Sequence, residues 1–88
     1  MTTAGEGDMS TAERVLAVLV DVTRVDEVRD DGDLRLYESG VIDSLGTVEL
    51  LLALTQEFSI EISPTEVDRE RWATPHRIVE FVRTRVGD

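Results

Sequence analysis

The sequence predicts a small all-α bundle of four helices, three long and one short, with a long first connection. Apolar residues recur at helical spacing in three separate stretches, cap-forming residues precede those stretches, and no alternating run is long enough for a sheet. The first helix opens at Ser10-Thr11-Ala12-Glu13, a capping box in which Ser10 caps the backbone and Glu13 reaches back to the Ser10 amide. Val15, Leu16, Leu19 and Val22 then give one apolar face running to about Thr23. Met1 to Met9, with Gly5, Gly7 and no periodicity, read as a disordered tail, so residues 10–88 are the folded domain.

Arg24 to Asp43 is a long connection that turns at Asp31-Gly32 and carries Leu34, Leu36, Val41 and Ile42 as apolar plugs. Connections beyond about 12–15 residues are commonly functional or disordered, and the plugs favour function. Ser44 to about Phe58 is the strongest helix. A helical wheel places Val48, Leu51, Leu52, Leu54 and Phe58 on an apolar arc, with Gly46, Glu49, Ala53, Gln56 and Glu57 opposite and Leu45 at the edge. After a loop closing at Ser63-Pro64, Thr65 to Trp72 reads as the short helix. Thr74-Pro75 opens the last helix, Ile78, Val79, Val82 and Val86 supply its apolar side, and Gly87 ends it. Leu34 to Tyr37 and Ile60 to Ile62 alternate too briefly to stand as a sheet. Trp72 and Phe58 belong to the core, because large aromatics dominate burial in small domains.

A chain of 88 residues makes one domain. Its core leaves little room for a pocket of the roughly 300–1,000 Å³ typical of small-molecule sites, which counts against an enzyme. Nineteen acids against nine bases give a net charge of −10, which repels nucleic-acid phosphates and anionic membranes and favours partners with basic surfaces. The absence of cysteine excludes a disulfide framework, a thiolate metal site and a cysteine nucleophile. With no long apolar run and no signal-peptide pattern, the expected location is the cytoplasm. All nine bases are arginine, a bias consistent with a GC-rich source.

The informative run is Ser39-Gly40-Val41-Ile42-Asp43-Ser44-Leu45-Gly46. A turn at Gly40 delivers Asp43 and Ser44 to the mouth of a long helix, where unpaired N–H groups favour an anion such as a phosphodiester on Ser44. Spacing alone is better served by Asp43 or Ser44 acting as a plain helix cap. Glu27, Asp31, Gly32 and Glu38 suggest a calcium loop, but Arg29 and Arg35 would occupy ligand positions and repel the ion, so no metal is expected. His76, the only histidine, reads as a surface residue at a helix start and not as a base for Ser44.

Gly40 to Gly46 resembles the Asp-Ser-Leu attachment motif of acyl and peptidyl carrier proteins. The resemblance implies that a phosphopantetheinyl transferase moves the arm of coenzyme A onto the Ser44 hydroxyl. Asp43 then faces the transferase and its magnesium ion, a metal that does not belong to this chain. The longer run Ser39 to Val48, followed by Leu50-Leu51-Leu52 and then Asp68 to Pro75, resembles the D-alanyl carrier proteins and their relatives. The likeness spans about Leu34 to Ile78; Ala73 stands where that subfamily more often has an acid, and His76 where an amide is common.

These readings give a non-catalytic carrier with 4'-phosphopantetheine covalently on Ser44, and Asp43, Leu45, Gly46, Glu49 and Ala53 lining the surface that partners read. The implied partners are the transferase, an adenylating enzyme that loads an aminoacyl or acyl thioester, and an acyltransferase or synthase that receives it. No nucleic acid and no membrane span are expected, and the protein is expected to be a monomer. The resemblance implies an aminoacyl cargo, because carriers of this type are loaded by a free-standing adenylating enzyme that activates an amino acid, and the small core adds that there is little spare volume for a long acyl tail. The GC-rich signature tips its destination towards natural-product biosynthesis, of polyketide or peptide type, over D-alanylation of teichoic acid. An unmodified acidic interaction domain is the alternative from another class.

Overall fold

Each long helix starts where a side chain satisfies backbone N–H groups that the helix's own ladder leaves unpaired. In the computed structural model, which describes residues 10–87, Ser10 Oγ accepts from Glu13 N at 3.1 Å while Glu13 Oε1 accepts from Ser10 N at 2.9 Å. This box opens α1, Thr11–Thr23. A short α2 follows at Glu27–Asp30, then α3 at Ser44–Phe58, capped by Asp43. The last helix, α4, is Pro75–Val86; Thr74 Oγ1 accepts from Arg77 N at 3.2 Å, and Pro75 fills a first-turn position where its missing N–H costs nothing. The expectation of a tail over residues 1–9 lies outside the described residues.

The result is a four-helix bundle in which α1 packs against α2, α3 and α4. Val15 and Leu19 of α1, Val28 of α2, Leu50 and Leu54 of α3, and Ile78, Val79 and Val82 of α4 form one buried cluster. Arg14 fastens the start of α1 to the end of α3. Its Nη2 donates to the Glu57 carbonyl at 2.8 Å, and its guanidinium lies 4.4 Å from the centre of the Phe58 ring.

The first connection is held by its plugs and by backbone hydrogen bonds. Leu36 and Ile42 are buried, and Leu34 and Val41 half-buried. Leu36 N donates to the Ala73 carbonyl at 2.9 Å and His76 N to the Gly32 carbonyl at 3.0 Å, so this connection is tied to the segment before α4. Trp72 is fully buried and meets Phe81 edge-on at 5.7 Å. Its indole N–H has no hydrogen-bond partner among the described residues, a cost set against the apolar volume it fills.

Three expectations are corrected. The short helix is not at Thr65 to Trp72 but at Glu27–Asp30, inside the first connection, where it seats Val28 in the core. The later segment makes only a 3-10 turn at Pro64–Glu66, and Asp68 Oδ1 then accepts from Arg71 N at 2.7 Å, a local bond that competes with helix. The apolar arc of α3 is also rotated from the one expected. Leu50 and Leu54 face the core, whereas Val48 and Leu52 are each 54% exposed and Leu45 67%. Apolar residues occur on nearly every side of this helix, so its own pattern does not orient it; contact with α1 does. Finally, Val86 is exposed, because α4 runs past the end of the core. Among the described residues no helix is long and apolar enough to cross a membrane.

Near the end of α4, Arg85 pairs with Glu66, donates to the Glu61 carbonyl at 2.9 Å and lies 5.0 Å from the centre of the Phe81 ring. The Arg85 guanidinium, helped by the Ser63 N–H, lowers the Glu66 carboxyl from 4.5 to about 2.

Two predictions follow from this packing. Leu50→Ala should cost about 2–5 kcal/mol in denaturant unfolding and Leu52→Ala less than about 0.5 kcal/mol, with similar losses for both variants refuting the observed orientation of α3. For Glu66 the folded pKa lies below the unfolded one, so the pair's contribution is complete above about pH 4.5 and is lost as pH falls towards 2. Glu66→Gln should therefore be less stable than wild type near neutral pH by a small, solvent-screened margin that closes in acid. A margin independent of pH would assign the loss to packing.

Candidate functional site

The approach to α3 is a turn that only glycine accommodates easily. Ser39 N donates to the Arg35 carbonyl at 2.9 Å and Gly40 N to the Tyr37 carbonyl at 3.2 Å, and Gly40 adopts a φ of +82°. Ile42, buried beneath the turn, donates its N–H to the Leu36 carbonyl at 3.1 Å and so fixes where Asp43 begins the helix.

Asp43, not Ser44, performs the capping. Its Oδ1 accepts from Gly46 N at 2.8 Å, and its carbonyl accepts both Thr47 N at 2.9 Å and Thr47 Oγ1 at 2.8 Å. Thr47 has one hydroxyl proton, directed at Asp43, so the 2.7 Å contact with Tyr37 is a bond that the Tyr37 hydroxyl donates. Ser44, the first residue of α3, is exposed and relieved of the cap. It borders a surface depression of about 220 Å³ together with Tyr37, Thr47, Val67, Asp68 and Arg69.

The other expected site residues divide. Asp43, Leu45 and Glu49 are exposed. Gly46 and Ala53 are only half-buried flank positions; a Cβ on Gly46 would face Asp43 Oδ1 at 3.4 Å and Ile42 Cγ2 at 3.7 Å, towards the cap and not outwards. The outward face instead carries Leu45, Val48 and Leu52, with Glu49 and Gln56 beside them. The wheel assigned Val48 and Leu52 to the core. Tyr37, Thr47 and Arg69 also escaped the sequence reading as neighbours of Ser44. Arg69 belongs to the second motif, but nothing in residue spacing brings that motif to Ser44.

His76 stands elsewhere. Its Nδ1 lies 3.6 Å from Asp33 at the start of α4, and it does not line the depression at Ser44. His76 is therefore not paired with the Ser44 hydroxyl. The site offers an accessible hydroxyl at a helix start whose cap is made by its neighbour Asp43.

Comparison with known proteins gives the same region a family context. The sequence profile described as a phosphopantetheine attachment site matches residues 13–82. The D-alanyl carrier protein of Lacticaseibacillus casei is 43% identical over 75 residues, covering 85% of this chain and 93% of that protein. Its counterpart in Bacillus licheniformis is 43% identical over 72 residues, covering 82% and 92%, and that of Bacillus subtilis is 45% identical over 71 residues, covering 81% and 91%.

Proposed function

We propose, from the premise that this chain belongs to the phosphopantetheine-attachment family of non-catalytic carrier proteins, that Ser44 bears the covalent 4'-phosphopantetheine and that the cargo is D-alanine. The observation that carries the attachment reading is the division of labour at the start of α3. Asp43 takes the cap, which leaves an exposed hydroxyl beside an open depression, as a bulky phosphodiester requires. In the attachment step the Ser44 hydroxyl gives its proton to a base of the transferase, its oxygen bonds to the pantetheine-bearing phosphorus of coenzyme A, and the pyrophosphate bond breaks so that adenosine 3',5'-bisphosphate leaves. Once in place, the arm supplies a flexible thiol that holds cargo as a thioester and raises its effective concentration at each partner enzyme.

Relatives that match 81–85% of the chain at 43–45% identity are named for D-alanine, which favours that cargo over the natural-product route suggested by the arginine-only composition. Loading then falls to an ATP-dependent adenylating enzyme in the cytoplasm, and the receiving enzyme is an acyltransferase serving a teichoic-acid type of polymer. Partners dock on the outward face of α3. Leu45, Val48 and Leu52 offer an exposed apolar stripe next to Ser44, and Glu49 adds charge for a basic rim.

Intact mass tests the whole reading. Incubated with coenzyme A and a promiscuous transferase, wild type should gain one phosphopantetheinyl group and Ser44→Ala none. Because Ser44 is not the cap, the variant should keep its stability within about 0.5 kcal/mol. Modification of the variant at another residue would overturn the assignment, and no modification of wild type would favour an unmodified acidic interaction domain. Offered a panel of amino acids with their adenylating enzymes, the modified protein should load D-alanine in preference; selective loading of a different amino acid would restore the natural-product reading. For docking, Leu52→Arg should lower kcat/KM of loading by about tenfold or more with an unchanged melting temperature. Loading at the wild-type rate would move the partner surface off α3.

A further inference from the structure

The depression beside Ser44 joins three parts of the chain. Tyr37 comes from the first connection, Ser44 and Thr47 from the first turn of α3, and Val67, Asp68 and Arg69 from the segment before α4. Its two charged residues are not equivalent. Asp68 is engaged: one carboxylate oxygen accepts Arg71 N at 2.7 Å, and the other lies 3.8 Å from the Arg71 side chain. Arg69 pairs with no carboxylate among the described residues, whereas Arg71, Arg77 and Arg85 close by each have one. Its guanidinium lies instead 5.1 Å from the centre of the Tyr37 ring. That ring is held in turn by the bond from its hydroxyl to Thr47 Oγ1 at 2.7 Å. On a chain of net charge −10, an arginine that pairs with no carboxylate among the described residues and lies over an oriented ring, at the edge of the depression that Ser44 borders, is a group with unused capacity for an anion.

We propose that Arg69 is a positioning residue for the arm, its guanidinium receiving the phosphodiester on Ser44 while Tyr37 holds it in place. The proposal rests on the reading that Ser44 is the attachment residue. Arginine suits the task better than lysine, because its delocalised cation can lie over the tyrosine ring while its edge donates two hydrogen bonds to phosphate oxygens. The geometry gives the contact a purpose. Thr47 lines the depression and Leu45 and Val48 do not, so a phosphate drawn towards Arg69 starts the arm away from the Leu45, Val48 and Leu52 stripe and leaves that stripe uncovered for partners.

The test compares the unmodified and modified full-length protein, with modification verified by intact mass. In nitrogen-15 spectra of the arginine side chains, the Arg69 Nε–Hε resonance should shift on modification of wild type. It should stay fixed in Ser44→Ala carried through the same reaction. In phosphorus-31 spectra of the modified proteins, the phosphodiester resonance should move with added salt in wild type and lose that dependence in Arg69→Gln, with Arg69→Lys between them. A loss of folding in Arg69→Gln does not blunt the test, because the wild-type arginine spectrum needs no variant. An arm gained with no shift at Arg69, or the same salt dependence in Arg69→Gln as in wild type, overturns the anchoring and leaves the attachment reading intact. A wild-type protein that gains no arm overturns both.

Discussion

Leu36 sits in a connection with no regular structure over Asp31 to Asp43, yet its side chain is fully buried and both of its backbone groups are used. Its N–H reaches the Ala73 carbonyl ahead of α4, and its carbonyl receives Ile42 just before α3. A buried backbone group left unpaired costs free energy comparable to a lost hydrogen bond, so a long connection can cross a core only where such partners exist. Leu36 supplies them at the point where the two irregular segments meet. The position of Asp43, the start of α3 and the proximity of Arg69 to Ser44 all depend on that junction.

The third helix carries two opposed requirements. Its Leu50 and Leu54 belong to the core, while Leu45, Val48 and Leu52 point into water. A helix apolar on nearly all sides is ordinarily buried on all sides, and an exposed apolar stripe invites self-association. The net charge of −10 opposes such association between copies. Composition and surface thus offset one another: the acids oppose the self-association that the exposed apolar stripe invites.

The helix mouth is economical in a similar way. Asp43 satisfies the backbone through Gly46 N and orients Thr47, which in turn receives the bond that orients Tyr37. Ser44 is left exposed, with its hydroxyl free of any capping duty. The rigidity of the mouth comes from its neighbours, so replacing the serine need not loosen the helix.

By itself the sequence determined the all-helical class, the start and end of α1, α3 and α4, the plugs Leu36 and Ile42, and the candidate serine. Each of these is written locally, in cap residues, helical spacing or a contiguous motif. The tertiary structure decided what local patterns leave open. It put the short helix at Glu27–Asp30, since one turn has too few residues to show a period and is stabilised by seating Val28 in the core. It turned α3 so that Leu50, not Leu52, is buried, because a helix with apolar residues all round has no preferred face until α1 packs on it. And it brought Tyr37 and Arg69 to Ser44 across two irregular segments, where proximity arises from a few backbone bonds between residues distant in the chain and not from any periodicity along it.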